Sequence, residues 1–340
     1  MRAVPITTHG GPDVLTLRDV PEPTPSAHDA ILRVRACALN HLDLWQRRGI
    51  ARVPLPLPHI PGSDIAGEVV DGGPSRLPAG TRVIVHPGLT CGRCAPCLAG
   101  HDSLCDHYGV VGFQSEGGYA ELVAVPAANL LSIPDGVTFE SAAAFPLTFL
   151  TAWHMLVARA NVRAGETVLV MAAGSGVGQA AVQIAKLHGA RVIATAGDAR
   201  KLEAARSLGA DEAVDHYAAG LTDEVRRLTG GRGVDVVVEH IGEAVWDRVV
   251  RCLARGGRLV TCGVTSGHHG AIDLRALFSR QLSLLGSYMG TRADLEAAWA
   301  AFGHGDLAPV VDSVLPLADA AEGHRRLETH SQFGKVILQI

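Results

Sequence analysis

The sequence predicts an α/β protein in which a doubly wound parallel sheet is joined to a second, β-rich domain. Three observations carry this. The chain has 340 residues, which at roughly 100–200 residues per domain suggests two domains. Its first third alternates β-branched runs with Gly and Pro clusters such as Gly10–Pro12, Pro21–Pro25 and Gly72–Pro74, the pattern of short strands and turns. From Glu166 onward, apolar runs alternate with helical stretches. Repeated βα units with apolar strands imply a parallel sheet covered by helices on both faces.

Taken in order, Ala30–Ala36, Thr81–Val85 and Ala120–Val125 read as strands of the β-rich part. Val53–Pro61 carries four prolines, cannot be helix, and reads as an extended surface loop. Glu140–Ala158 is rich in Ala, Leu and aromatics and reads as helix. The α/β series then runs strand Val168–Met171, helix Gln179–Leu187, strand Arg191–Thr195, helix Ala199–Leu208, strand Ala213–Val214 and helix Leu221–Leu228. It continues with strand Val234–Glu239, helix Ala244–Leu253 and strands Arg258–Thr261 and Leu282–Leu285. Helix Asp294–Ala301, strand Val310–Leu315, helix Leu317–Glu328 and strand Gly334–Gln339 close the chain.

Composition excludes several classes. Acidic residues number 34 and basic residues 30, a net charge of −4, which gives no electrostatic case for nucleic acid or an anionic membrane surface. No window holds about 18 consecutive apolar residues, and MRAVPITTHGGPDVL has no apolar signal core. The expectation is a cytoplasmic protein with no membrane and no nucleic-acid partner. Four of the seven cysteines crowd into CGRCAPCLAGHDSLC, and in a large cytosolic chain such clustering favours a metal over disulfides.

Two motifs carry chemistry. In VLVMAAGSGVGQAAVQIAK a strand runs straight into Gly174, Ser175, Gly176, Val177 and Gly178 and then into a helix. Glycines there permit close backbone approach, and the helix N-terminus offers free N–H groups to a pyrophosphate. The sixth position of the pattern is Gln179 rather than Gly. An NAD-selective site wants an acidic residue about 20 residues on. Here the second strand ends in Ala196 and Gly197, with Arg200 and Lys201 close behind, so NADPH is expected rather than NADH. Asp198 is the counter-evidence, and its other reading is a helix N-cap. The second motif places Cys91, Cys94, Cys97 and Cys105 at spacing C-x2-C-x2-C-x7-C. Four thiolates describe a closed tetrahedral site for one structural Zn²⁺ with no open position for substrate. An emptied site and an iron–sulfur cluster are the alternatives.

The glycine turn and the cysteine lobe together resemble the medium-chain dehydrogenase/reductase superfamily, across essentially the whole chain. The resemblance implies a Rossmann dinucleotide-binding domain at 131–288. It also implies a β-rich, chaperonin-10-like catalytic domain made of 1–130 and 289–340, with the zinc lobe at about 88–108. Zinc alcohol dehydrogenases of that family carry a second, catalytic zinc. Its ligand positions fall here on Asn40, Ser63 and about Leu147, none of which binds Zn²⁺ well. The hydroxyl that relays the alcohol proton would be at Leu42. LNHLDLW, PGSDIAG and AAAFPLTFLTAW look like the quinone oxidoreductase branch, which lacks the catalytic zinc. A metal site rebuilt from Asp64, His59, His41 and Asp43 is the alternative, with Asp64 otherwise a buried structural acid.

The resemblance then implies an NADPH-dependent reductase of a quinone or α,β-unsaturated carbonyl. Asn40, Ser63 and Thr151 are the candidate catalytic residues, Asn40 having as its other reading a structural amide. His41 would face the pyrophosphate, Trp45 would wall the pocket, and Thr148 and Thr151 would line the nicotinamide. Cys262 and Val264 would approach the nicotinamide ribose, and Ser287–Met289 the carboxamide. Lys335 would either reach the cofactor or stand in solvent. Tyr108, Tyr119, Tyr288 and solvent are the candidate proton donors. Most histidines, including His268, His269, His304, His324 and His330, are expected in solvent. A homodimer through Gln281–Ser287 is expected, with a tetramer as the alternative. Two other functions stay open: a zinc-dependent alcohol dehydrogenase with an unusual ligand set, and a catalytically weak NADPH-binding or sensor protein.

Overall fold

The computed structural model describes residues 1–50, 53–217 and 220–340. The chain forms two compact units, one of Met1–Leu147 with Ala308–Ile340, the other of Thr148–Leu307. The joins therefore fall later than the sequence places them. The short helix Phe139–Ala143 belongs to the first unit, and the helix Arg292–Gly303 to the second.

The first unit is built on a seven-stranded sheet. Its order is Val311–Pro316, Lys335–Gln339, Asp29–Ala38, Asp64–Asp71, Arg82–Val85 and Leu130–Ser132, with Leu122–Pro126 also pairing Asp29–Ala38. Only the first pair is parallel. The register sets Cys37 opposite both Ile65 and Leu338, and Ala38 opposite Asp64 and Ile337. The C-terminal strand thus lies directly beside the strand that leads into Asn40. Leu32, Val34, Ile65, Tyr119, Val336 and Leu338 pack in the core between and over these strands.

The second unit carries six parallel strands in the order Glu212–Asp215, Arg191–Ala196, Thr167–Val170, Val234–Glu239, Leu253–Thr261 and Ser283–Gly286. In chain order this is 3-2-1-4-5-6, the doubly wound arrangement whose strand order reverses beside the first strand. Leu169, Ile193, Val237 and Leu259 are fully buried in its core, as a sheet covered on both faces requires.

Several elements differ from the sequence reading. Glu140–Ala158 is not one helix. Phe139–Ala143 stops, Pro146–Trp153 begins on a proline, and His154–Arg159 is π-helical. Pro146 has no N–H for a continuous ladder and suits the first turn of a new helix. The helix His41–Arg48 was missed, although Asn40 and Asp43 form the Asn-x-x-Asp pattern of a helix start. The helix Leu274–Ser279 was also missed. The proline-rich run is extended as expected, but its end turns inward, with His59 and Ile60 buried. Among the described residues no helix is long and apolar enough to cross a membrane.

Candidate active site and cysteine lobe

Asn40 is the last residue before the helix His41–Arg48, and its place between sheet and helix fixes its backbone. The Asn40 N–H donates to Asp43 Oδ2 at 2.8 Å. Its side chain joins a buried cluster in the first unit. Lys335 Nζ donates to Asn40 Oδ1 at 2.6 Å and to Asp64 Oδ2 at 2.8 Å. Asn40 Nδ2 donates to the same Asp64 oxygen at 2.9 Å, while Asp64 Oδ1 accepts the Leu147 N–H at 2.6 Å. An ammonium only donates, so the Asn40 oxygen must face Lys335. The amide keeps one weakly held N–H, 3.5 Å from the Ala38 carbonyl.

One carboxylate therefore ties Asn40 to the backbone at Leu147, two of the three positions that the resemblance sets against the catalytic-zinc ligands of zinc alcohol dehydrogenases. Ser63, the third, is fully buried, and its hydroxyl has no partner among the described residues. Lys335 is 3 % exposed, which corrects its placement in solvent. The expectation that Asp64 is a buried acid holds in this geometry.

A second buried chain supports the first. Tyr119 Oη donates to Asp43 Oδ2 at 3.2 Å and contacts His324 Nε2 at 3.2 Å. Arg47 donates to His324 Nδ1 at 3.2 Å and pairs with Glu328. His324 is completely buried, a correction to its expected exposure. Burial and the adjacent Arg47 guanidinium push His324 down to about 3, so it is neutral, with its proton on Nε2 facing Tyr119. Burial pushes the Asp43 carboxyl up to about 7, against the Asn40 N–H and the Lys335 charge. Tyr119 is fully buried and its phenol is raised, chiefly by burial. It is locked inside the first unit, which removes it from the candidate proton donors.

The alternative metal set is not brought together. His59 Nε2 bonds the Gly112 carbonyl at 2.9 Å, and the His41 ring stacks on His330 at 5.8 Å. Among the described residues, the one group of three or more His, Cys, Asp or Glu side chains that converges is Cys91, Cys94, Cys97 and Cys105.

Those four sulfurs lie within 4.8 Å of one another. A tetrahedral Zn²⁺ with bonds near 2.3 Å wants sulfurs about 3.8 Å apart, so a single ion fits. Backbone N–H groups already point at the sulfurs: Cys94 N–H to Cys91 Sγ, and those of Cys91 and His107 to Cys105 Sγ, each at 3.4 Å. Backbone N–H groups of Arg93 and Cys94 bring the Cys91 thiol down to about 6, while desolvation and its thiol neighbours push Cys97 up to about 12. Four thiols this close do not ionise together without a cation among them. Fit and donor set both suit a structural zinc.

In the second unit, the glycine turn follows the strand Thr167–Val170 and opens the helix Gly176–Leu187. Ser175 caps that helix by accepting the Gly178 N–H at 2.9 Å. A Cβ on Gly178 would sit 2.2 Å from the Ala172 carbonyl oxygen, so only glycine lets helix and strand approach this closely. Asp198 caps the next helix, its Oδ1 accepting the Lys201 N–H at 2.8 Å. Arg200 is exposed and Lys201 half-buried. Thr148 and Thr151 are buried on the helix Pro146–Trp153. Cys262 follows the strand Leu253–Thr261 with its thiol pushed up to about 12 by burial, and Val264 is exposed. The Ser287 hydroxyl is buried without a partner among the described residues.

Comparisons with known proteins agree with this geometry. The zinc-binding dehydrogenase family profile matches residues 176–303, and the alcohol dehydrogenase GroES-like domain profile matches 26–135. A quinone oxidoreductase of Pongo abelii is 31% identical over 99% of this chain and 97% of its own. An alcohol dehydrogenase of Geobacillus stearothermophilus is 31% identical over 96% of each. A solved structure described as an NAD-dependent alcohol dehydrogenase is 50% identical, with a TM-score of 0.96 and full coverage of both chains. The chain belongs to the medium-chain dehydrogenase/reductase superfamily and is an oxidoreductase of that group.

Proposed function

We propose that this protein is an NADPH-dependent reductase of quinones or α,β-unsaturated carbonyls that works without a catalytic zinc. The observation that carries the reading is the buried Asp64–Lys335 pair, which joins Asn40 and the Leu147 backbone. An ammonium and an amide stand where a divalent cation would need anionic or imidazole ligands. The quinone oxidoreductase relatives support the same reading.

When bound, the nicotinamide supplies the hydride. The chain's own part is to hold donors toward the oxygen on which charge develops. Asn40 offers its remaining N–H, and Lys335 on Oδ1 polarises that amide toward donation. Ser63 offers a hydroxyl with no competing partner among the described residues. Thr148 and Thr151 hold the nicotinamide, His41 faces the pyrophosphate, and Trp45 walls the acceptor. Gly174–Gly178 take the pyrophosphate, Arg200 and Lys201 a 2′-phosphate, and Cys262 and Val264 the nicotinamide ribose. The proton comes from solvent. One structural zinc sits in the cysteine lobe, and two copies pair through Gln281–Ser287, beside the exposed Leu274 and Phe278.

The 50% identity to a structure described as an NAD-dependent alcohol dehydrogenase favours a second reading, alcohol oxidation with NAD⁺. Zinc per chain, measured on protein purified without added metal, separates the two, alongside activity with quinones and enones against NADPH and with alcohols against NAD⁺. About one zinc per chain with quinone or enone turnover supports the proposal. A second zinc with alcohol turnover overturns it.

A further inference from the structure

The second unit contains a π-helical turn whose two ends grip one loop. π-helical turns inside α-helices are uncommon and concentrate at functional sites. This one, His154–Arg159, continues directly from the helix that carries Thr148 and Thr151. At its start, His154 Nδ1 lies 2.8 Å from Asp294 Oδ2. At its end, Arg159 Nε donates to the Gly286 carbonyl at 2.8 Å. Gly286 and Asp294 bracket the segment that contains Ser287–Met289.

The grip is specific. Asp294 Oδ2 also accepts the Thr291 N–H at 2.9 Å and the Thr291 hydroxyl at 2.7 Å, capping the helix Arg292–Gly303. Burial opposes the Asp294 charge, yet the bonds from His154 and Thr291 hold its carboxyl below the usual range. A carboxylate only accepts, so His154 carries its proton on Nδ1. Between the two grips the backbone is constrained. Met289 is buried with φ +51°, a left-handed conformation that is strained for a side-chain-bearing residue. Gly290 lies so close to the turn that a Cβ there would meet the His154 Cβ at 3.0 Å and Leu150 Cδ1 at 2.5 Å. The Ser287 hydroxyl, inside the bracket, is buried and unpartnered among the described residues. A strained segment persists only where its surroundings over-determine it, and a buried orphan hydroxyl suits a ligand amide.

We infer that the π-helical turn is a clamp on the Ser287–Met289 segment, with His154 as a positioning residue that aims this segment at the carboxamide of the nicotinamide. The inference rests on the reading of Ser287–Met289 as the carboxamide contact. It adds the residues that hold that contact in place, and it links them through one helix to Thr151.

The test compares a ligand with the nicotinamide to one without it. Calorimetric Kd values for NADPH and for 2′-phospho-ADP-ribose are measured on the wild type, His154→Ala, His154→Asn and Arg159→Met. In the wild type NADPH binds tighter than the truncated ligand. His154→Ala weakens NADPH about tenfold, the loss expected for one charge-assisted hydrogen bond, and leaves the truncated ligand unchanged. Asn places an N–H where the imidazole Nδ1–H stood, so His154→Asn restores most of the difference. Arg159 is exposed, so Arg159→Met folds even if the alanine variant does not, and it too narrows the gap. Folded variants that keep the wild-type ratio of the two Kd values overturn the clamp. Equal affinity of the wild type for both ligands instead overturns the carboxamide reading itself, a failure visible before any variant is made.

Discussion

Asp64 and Lys335 are 271 residues apart in the chain and 2.8 Å apart in the fold, with both side chains buried. Removing one member of such a pair leaves the other charge buried without compensation, at a cost of about 3–5 kcal/mol. Lys335→Met is therefore expected to lower the urea unfolding free energy by that amount. Asp64→Asn with Lys335→Met removes both charges and recovers part of the loss. A loss under about 1 kcal/mol for the single variant would show that water reaches the pair.

The cysteine lobe predicts a metal-dependent local fold. Cys94→Ser is expected to abolish zinc binding, measured by elemental analysis, and to lower the thermal midpoint. Ellman titration of the unfolded variant should count one thiol fewer than the wild type, and titration under native conditions should find the remaining lobe thiols reactive. Retention of zinc by the folded variant would contradict the four-sulfur site.

The pH dependence of stability should contain two opposing slopes. Burial raises the Asp43 carboxyl from its ordinary 3.8 to about 7. The native state then binds more protons than the unfolded state, and stability falls as pH rises between these values. His324 is depressed to about 3 from 6.5. The native state binds fewer protons there, so stability falls as pH drops through that window. From about pH 4 to 6 the two slopes cancel in the wild type. Asp43→Asn should expose the histidine slope and His324→Gln the carboxyl slope, each approaching about 1.4 kcal/mol per pH unit. Denaturant titrations at four pH values measure both, and parallel curves for all three proteins would refute the assignment.

Gly178→Ala places a methyl 2.2 Å from the Ala172 carbonyl oxygen. Strand and helix must separate, an overpacking cost of about 1–3 kcal/mol. The expected outcome is a folded but less stable protein with NADPH affinity reduced at least tenfold, read by fluorescence titration. Unchanged affinity would mean that the glycine turn does not meet the pyrophosphate.

Much of this molecule was legible in the chain. The α/β series appears in periodicity because each strand of a covered parallel sheet must be apolar along its length, and Leu221–Leu228 and Val234–Glu239 fall at the residues expected. The cysteine lobe was legible because its four cysteines lie within fifteen residues of one another, so spacing alone approximates geometry. The exposed pair His268 and His269 was placed correctly by its Gly-rich loop.

Where the partners are distant in sequence, only the tertiary structure decided the outcome. Lys335 reads from its neighbours as a terminal basic residue, yet the pairing of the C-terminal strand with Asp29–Ala38 carries it to Asn40 and Asp64. His324 lies on a helix directly ahead of Arg325 and Arg326, and its burial depends on Tyr119 and Arg47 from elsewhere in the chain. The helix break at Pro146 and the π-helical turn that reaches Asp294 belong to the same class. Local pattern fixes which residues form strands and turns because those preferences act over a few residues. Which charges meet in the dry interior is set by sheet order and register, and these emerge only when the whole chain has packed.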